Sequence, residues 1–337
     1  MKYIDVTFRE ACNIGDFKPD EGHVLETFRR LRESGMDYIE PSYVQSPKGG
    51  RSLFWKYSES FIHELAEIFR GTRTKLAAML VLEDFDSDIF LSPDVDMVRL
   101  ACTKSNVRTA SRQIDYFKSR GLQVAVNLTA INQSSPDECV DAAKRIETDG
   151  ADIFYAADTT GTMLPEETKR YMSELRSRTN IVLGFHAHDN MGLAGANALE
   201  AMNCGAEFID GSLLGFGKGA GNARTEKMFV LFERLGMPGY SSRDLFPAMK
   251  YFFENVCRTI SPGDSFAEQY RFVLYALHGV TLATDRKLKA LAAQKGLDEL
   301  DLGAQLVFEF AGDFDALSAS LERKAAESPS SSIIASL

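Results

Sequence analysis

A chain of 337 residues with 45% hydrophobic and 26% charged residues has the balance of an ordinary globular protein and enough length for a large core plus an appendage. A formal net charge of −10 argues against nucleic acid or an anionic membrane as the main partner, because both need a basic face; anionic small substrates, held by local charge, remain open. The five cysteines (Cys12, Cys102, Cys139, Cys204 and Cys257) are odd in number, widely spaced and free of C-x-x-C, which disfavours a disulfide framework or a cysteine-built zinc site and points to a reducing compartment. The N-terminus runs directly into a strand pattern, and no apolar run approaches the roughly 20 residues of a membrane span. The expected location is cytoplasmic.

Short apolar runs alternate with amphipathic stretches along the first two thirds of the chain. The first strand is expected over residues 3–7. A helix follows from about Asp20, with Val24, Leu25, Phe28 and Leu31 at helical spacing and Gly35 ending it. Residues 37–41 read as the second strand, and an amphipathic stretch over 57–69 leads to the third at 75–82. The fourth, 95–101, precedes a helix over 106–119. After the fifth, 122–129, Ser135-Pro136-Asp137-Glu138 marks a helix start: a cap, a first-turn proline and acids that suit the helix dipole. After the sixth, 152–157, Pro165-Glu166-Glu167 repeats the device. The seventh and eighth strands are expected over 181–186 and 207–213. Eight β units with intervening helices predict an α/β fold, a closed (β/α)8 TIM barrel over residues 1–240. No G-x-G-x-x-G follows the first strand, which removes the simplest dinucleotide-binding reading.

Beyond residue 240 the pattern is all helical. Helices are expected over 242–258, 267–282, 285–295, 300–311 and 314–326. They form a C-terminal helical domain over 241–327, and a polar, flexible tail follows over 328–337.

Active sites of barrels lie where strands end and the following loops begin. After the first strand comes Thr7-Phe8-Arg9-Glu10, and after the seventh His186-Ala187-His188-Asp189-Asn190. The stretch after the eighth runs Gly215-Phe216-Gly217-Lys218-Gly219-Ala220-Gly221-Asn222. His186 and His188, two apart at a strand end, project to one side. Two imidazoles and a carboxylate make a mixed nitrogen–oxygen site with open positions for a catalytic divalent metal. The carboxylate candidates are Glu10, Asp158 and Asp189, with Glu10 first because closure brings strands one and seven to the same rim. The alternative is a pair of rim histidines bonded to loops. Glycines at 215–221 let backbone approach a ligand, and Asn222 is either a fourth, neutral metal ligand or a helix cap. Lys104 raises a Schiff-base alternative. Phe54, Trp55 and Tyr57 either line the mouth or pack in the core.

The motifs D-V-T-F-R-E at 5–10, G-F-H-A-H-D-N-M-G-L-A at 184–194 and G-K-G-A-G-N at 217–222, with Asp158-Thr159-Thr160-Gly161, resemble the family of metal-dependent lyases and synthases on the TIM barrel. Hydroxymethylglutaryl-CoA lyase, isopropylmalate and homocitrate synthases and 4-hydroxy-2-oxovalerate aldolase belong to it, and the helical tail most resembles the aldolase branch. The resemblance implies Glu10, His186, His188 and Asn222 as metal ligands, Arg9 stabilising an enolate oxygen and Thr159 orienting a 2-keto acid. It also implies Tyr275, on the first tail helix, reaching the substrate, with His278 as its rival. A histidine base is expected three residues after the first-strand acid, where this chain has Asn13, so Tyr275, His278, Glu40 or a metal-bound water remain open as the base. The cysteine of the acyl-CoA lyase branch is absent from 215–221.

The expected cofactor is Mg2+ or Mn2+, since thiolate ligands are lacking and chelation needs vacant positions. The expected activity is cleavage or formation of a carbon–carbon bond next to a 2-keto acid such as pyruvate. The alternatives are a Claisen-type acyltransferase, which the Arg9-Glu10 pair favours, and a non-catalytic barrel. A homodimer is expected, with the tail helices as a docking surface for an aldehyde-consuming enzyme.

Overall fold

Eight short, largely buried strands separated by helices leave one economical arrangement, a closed parallel barrel, and the computed structural model of the chain adopts it. It describes residues 1–14, 19–44, 58–86, 91–217, 219–257, 271–272 and 274–327. Phe54, Trp55, Tyr57, Lys218, the tail from Ser328 and much of the helix expected at 267–282 lie outside the described residues. The strands are β1 (Lys2–Asp5), β2 (Tyr38–Ile39), β3 (Lys75–Val81), β4 (Met97–Cys102), β5 (Gln123–Leu128), β6 (Ile153–Asp158), β7 (Val182–Ala187) and β8 (Phe208–Gly211). All pairs are parallel and in sequence order, and β8 returns to β1 with Lys2 opposite Phe208 and Asp5 opposite Gly211. The expected TIM barrel is the observed fold.

Around the sheet run α1 (Thr7–Ala11), α2 (Glu21–Leu31), α3 (Glu59–Phe69), α4 (Ser111–Lys118), α5 (Pro136–Thr148), α6 (Pro165–Arg178), α7 (Ala194–Asn203), α8 (Thr225–Arg234) and α9 (Ser242–Asn255). Their starts follow from local chemistry. The Asp20 carboxylate accepts from the Gly22 and His23 N–H groups, and Ser135 and Glu138 close a capping box on α5. The first strand is shorter than its apolar run. Asp5 accepts from both the N–H and the hydroxyl of Thr7, and the chain turns helical at Thr7 instead of extending through it.

Strand side chains alternate between two cores. Tyr3, Val98, Leu100, Val126, Phe154, Leu183, Phe185 and Ile209 face the helices, while Ile4, Val6, Ala77, Met97, Ala125, Ile153, Tyr155 and Phe208 form a separate cluster inside the barrel.

The chain divides into two compact units, Met1–Pro262 and Gly263–Leu337. The sequence pattern places its boundary at 240/241. The helix that follows, α9, buries Leu245, Ala248 and Phe252 and packs against α2 and α8, so its contacts lie in the first unit. In the second unit α10 (Leu282–Lys295), α11 (Glu299–Phe308) and α12 (Phe314–Glu327) pack on one another. No helix among the described residues is long and apolar enough to cross a membrane.

Candidate active site

The turn after β1 carries the first half of the site. Thr7, held by Asp5, accepts the Leu213 N–H at 2.8 Å, which ties the end of β1 to the segment after β8. The turn of α1 that follows presents Arg9 and Glu10, both buried. From β7, His186 and His188 fall on alternate positions and are also buried. Glu10, His186 and His188 each offer a ligand atom, and these atoms all lie within 4.8 Å of one another. The two Nε2 atoms are 3.4 Å apart, and His186 Nε2 lies 3.7 Å from Glu10 Oε1.

Asn222 enters from the loop after β8, its backbone bridged to that of His188. A Cβ on Gly217 would lie 2.2 Å from Asn222 Nδ2 and 3.2 Å from the Glu10 Cβ, so only glycine lets this loop close over the two side chains. Glu10 Oε2 and Asn222 Oδ1 are buried acceptors with no protein partner. Buried oxygens are rarely left so, and two of them beside two imidazoles suit a bound dication. The donor set of two nitrogens and two oxygens fits a divalent metal.

Beneath these ligands runs a ring of buried charge. Arg9 bonds Glu10 through Nη1 and Glu40 through Nε at 2.5 Å. The second Glu40 oxygen accepts from Arg99 Nη1 at 3.0 Å; Arg99 Nη2 bonds Asp210, and the same Asp210 oxygen lies 3.0 Å from His186 Nδ1. The Arg99 guanidinium stands 4.3 Å over the Tyr155 ring. Burial pulls the Arg99 pKa down, but Asp210 and Glu40 outweigh it and hold the group charged. Burial would raise Asp210; Arg99 and His186 overcome this and keep it below the ordinary aspartate range. For His186 burial prevails over the Asp210 bond and lowers the pKa. The neutral imidazole is the form that ligates metals.

The other residues singled out from the sequence divide clearly. Asp158 accepts from the Thr162 and Met163 N–H groups, and Asp189 accepts from Ala194 N–H at the start of α7, so each serves its own loop. Thr159 follows β6 directly and accepts from Ala130 N–H at 2.8 Å. Asn13 donates to the Tyr43 hydroxyl at 3.4 Å. Both Glu40 oxygens are engaged by arginines. Lys104 is exposed and bonds Glu138. In the second unit the Tyr275 hydroxyl donates to Asp285 at 2.9 Å; burial, then Asp285, raise its pKa. His278 is exposed.

Arg99, Asp210 and Tyr155 are the site residues that sequence reasoning missed. The available signal was a charged residue at an inward position in each of two otherwise apolar strands.

Residues 1–247 match the model of the HMGL-like family. The chain is 32% identical over 256 residues to the 4-hydroxy-2-oxovalerate aldolase of Geobacillus genomosp. 3, covering 74% of each. It is 29% identical over 235 residues to the oxaloacetate decarboxylase of Mycobacterium tuberculosis, covering 69% of this chain and 70% of the relative. The crystal structure of the HMG-CoA lyase from Brucella melitensis shares the fold, with a TM-score of 0.66 at 15% identity over 76% of this chain and 98% of that one. From the match across the whole barrel, the chain belongs to the HMGL-like family and is an aldolase-like lyase.

Proposed function

We propose that the enzyme is a divalent-metal-dependent lyase that cleaves, or in reverse forms, the carbon–carbon bond next to the carbonyl of a 2-keto acid, by way of an enolate. The observation that carries this reading is the convergence of Glu10, His186 and His188 beside the unpartnered oxygens of Glu10 and Asn222. Mg2+ or Mn2+ suits the set, because no thiolate is among the ligands. Held by Glu10, His186, His188 and Asn222, such an ion supplies Lewis acidity toward the keto and carboxylate oxygens of the substrate. Arg9, fixed by Glu40, provides positive charge where the enolate oxygen develops its own. Burial lowers the Arg9 pKa, Glu40 raises it more, and the group stays protonated. Thr159, at the end of β6, orients the keto acid. In aldol cleavage the substrate hydroxyl would give its proton to a general base, the C–C electron pair would pass to the enolate and an aldehyde leave; return of a proton from the conjugate acid to the enolate carbon would yield the shorter 2-keto acid.

Asn13 favours a second reading. Cleavage that releases carbon dioxide from a 3-carboxy-2-keto acid needs no proton acceptor, because the departing carboxylate is already ionised. It uses the same enolate stabilisation, and one relative carries the name oxaloacetate decarboxylase. Asn13 is an amide and cannot serve as a base near neutral pH.

Both readings meet in one experiment. Metal-loaded protein is supplied separately with 4-hydroxy-2-oxopentanoate, with oxaloacetate, and with acetyl-CoA plus a 2-keto acid. Pyruvate is followed by coupled reduction, with aldehyde, carbon dioxide and free thiol in parallel. Pyruvate release that EDTA abolishes, that Mn2+ restores and that His188→Ala lacks is the expected result. Free thiol would move the assignment to a Claisen-type acyltransferase. No turnover of any substrate would defeat the proposal.

A further inference from the structure

Asp210 is fully buried, sits on β8 and contributes nothing to the ligand set, yet it touches the one ring nitrogen of His186 that faces away from Glu10. The opposite nitrogen, Nε2, is the one near Glu10 Oε1 and His188 Nε2. A neutral imidazole can offer a lone pair at Nε2 only if its proton is on Nδ1. A carboxylate accepting at Nδ1 selects that tautomer and fixes the ring's orientation.

The register of the barrel makes the pairing. Gly184 lies opposite Phe208 and Phe185 opposite Ile209, so His186 and Asp210 fall at the same level on adjacent strands. Asp210 is held in turn by Arg99, whose other nitrogen is on Glu40, and Glu40 holds Arg9. Tyr155 supports the Arg99 guanidinium from one face. A Cβ on Gly184 would come within 2.5–2.6 Å of three Tyr155 ring atoms, so the glycine of the seventh strand makes room for that support.

We propose that Asp210 is a positioning residue that holds His186 as the Nδ1-protonated tautomer with Nε2 turned toward Glu10 and His188, and that Arg99 fixes Asp210 in that role. Through Glu40 the same arginine joins the histidine side of the site to Arg9. The inference rests on the metal-dependent reading of the site. Because a single oxygen, Oδ2, serves both His186 and Arg99, an amide with its oxygen in that place keeps both bonds and loses only the charge. Alanine loses both bonds. The expected order of effect is therefore Asp210→Ala above Asp210→Asn; a space-filling role gives the same order in stability, and the tautomer of His186 is the readout that it would not move.

Two measurements test this on the full chain. Long-range 1H–15N correlation of the metal-free protein at pH 8, with His186 assigned by its loss in His186→Gln, reports the tautomer without any ion. The wild type is expected to show His186 protonated on Nδ1; Asp210→Asn keeps this and Asp210→Ala gives a mixture. Mn2+ binding, read from the electron paramagnetic resonance of the free ion, is expected to weaken roughly 10–100-fold in Asp210→Ala and less in Asp210→Asn. A wild-type His186 protonated on Nε2, or Asp210→Ala binding Mn2+ as tightly as wild type, overturns the proposal. If Asp210→Ala does not fold, the tautomer decides: His186 protonated on Nδ1 in the wild type and in Asp210→Asn supports the role, and protonation on Nε2 in the wild type overturns it. A wild-type chain that binds no Mn2+, or binds it unchanged in His188→Ala, sinks the metal-dependent reading instead, and the tautomer still judges Asp210 separately.

Discussion

Replacing Arg99 by methionine is the sharpest probe of the buried ring. Arg99 is 0% exposed and stands between Glu40 and Asp210, themselves 0% and 1% exposed. Methionine keeps most of the stem's packing volume and removes the charge, so two carboxylates lose their shared cation inside the barrel. Removing one partner of a buried ion pair costs about 3–5 kcal/mol, because the remaining charge is uncompensated; loss of the stacking on Tyr155 adds up to about 2 kcal/mol. At roughly 2–4 °C per kcal/mol for a unit of this size, Tm should fall by roughly 6–28 °C. The sign of a second variant separates this account from simple loss of packing. In the triple variant R99M/E40Q/D210N the carboxylates are gone as well, and stability should recover part of the loss. Thermal and urea unfolding of the three proteins provide the comparison. The reasoning fails if R99M melts within 2 °C of wild type, a margin on the order of 1 kcal/mol or less, or if the triple variant is less stable than R99M.

Gly184→Ala should cost about 1–3 kcal/mol by overpacking against Tyr155 and should weaken Mn2+ binding as well; a variant with wild-type unfolding would show that the ring moves aside freely. Burial raises the Asp5 carboxyl to about 7 against the hydrogen bonds from Thr7. Because this folded-state value lies above the unfolded one, the group's contribution to stability is fully present below about pH 4 and is lost as pH rises through about 7. Asp5→Asn does not titrate, so urea unfolding between pH 4 and 8 should shift in its favour by on the order of a few kcal/mol, and a constant difference would refute the assignment. Asn13→His places an imidazole beside Tyr43 and should raise pyruvate release from the hydroxy-keto acid relative to that from oxaloacetate by about 10-fold or more; equal changes on both substrates would remove Asn13 from the argument.

The barrel was legible because each strand is a short apolar run bounded by turn or helix-start signals, and eight of them fill a closed sheet. The end of β1 was not legible, since period-two alternation continues through Thr7 while the Asp5–Thr7 hydrogen bonds end the strand. Glu10, His186 and His188 could be picked out because barrel geometry brings strand ends to one rim, and the fold gathers their ligand atoms within 4.8 Å of one another. Arg99 was hidden by its setting. In V-D-M-V-R-L-A a mid-strand arginine has no visible partner, and its carboxylates come from β8 and the segment after β2, far off in sequence. The pairing of His186 with Asp210 depends on the β7–β8 register, which the helical crossover between them does not encode locally.

A charged layer inside a barrel normally packed with branched apolar side chains demands a reason beyond stability, and counting its charges supplies one. Arg9 and Arg99 face Glu10, Glu40 and Asp210, with His186 neutral, so two cations meet three anions and the ring carries one net negative charge. On the proposed metal-dependent reading, a bound dication would turn this into one net positive charge, which a substrate with a single carboxylate would cancel. The uncharged total is the state that a low-dielectric interior tolerates best. On that reading the negative charge growing on an enolate oxygen would be an excess, and Arg9 would be the cation proposed to meet it. Without Arg99 the same ring would carry two net negative charges, and its preference would be for metal over anion. On this account Arg99 lies too deep to touch substrate but sets the charge that the substrate must complete.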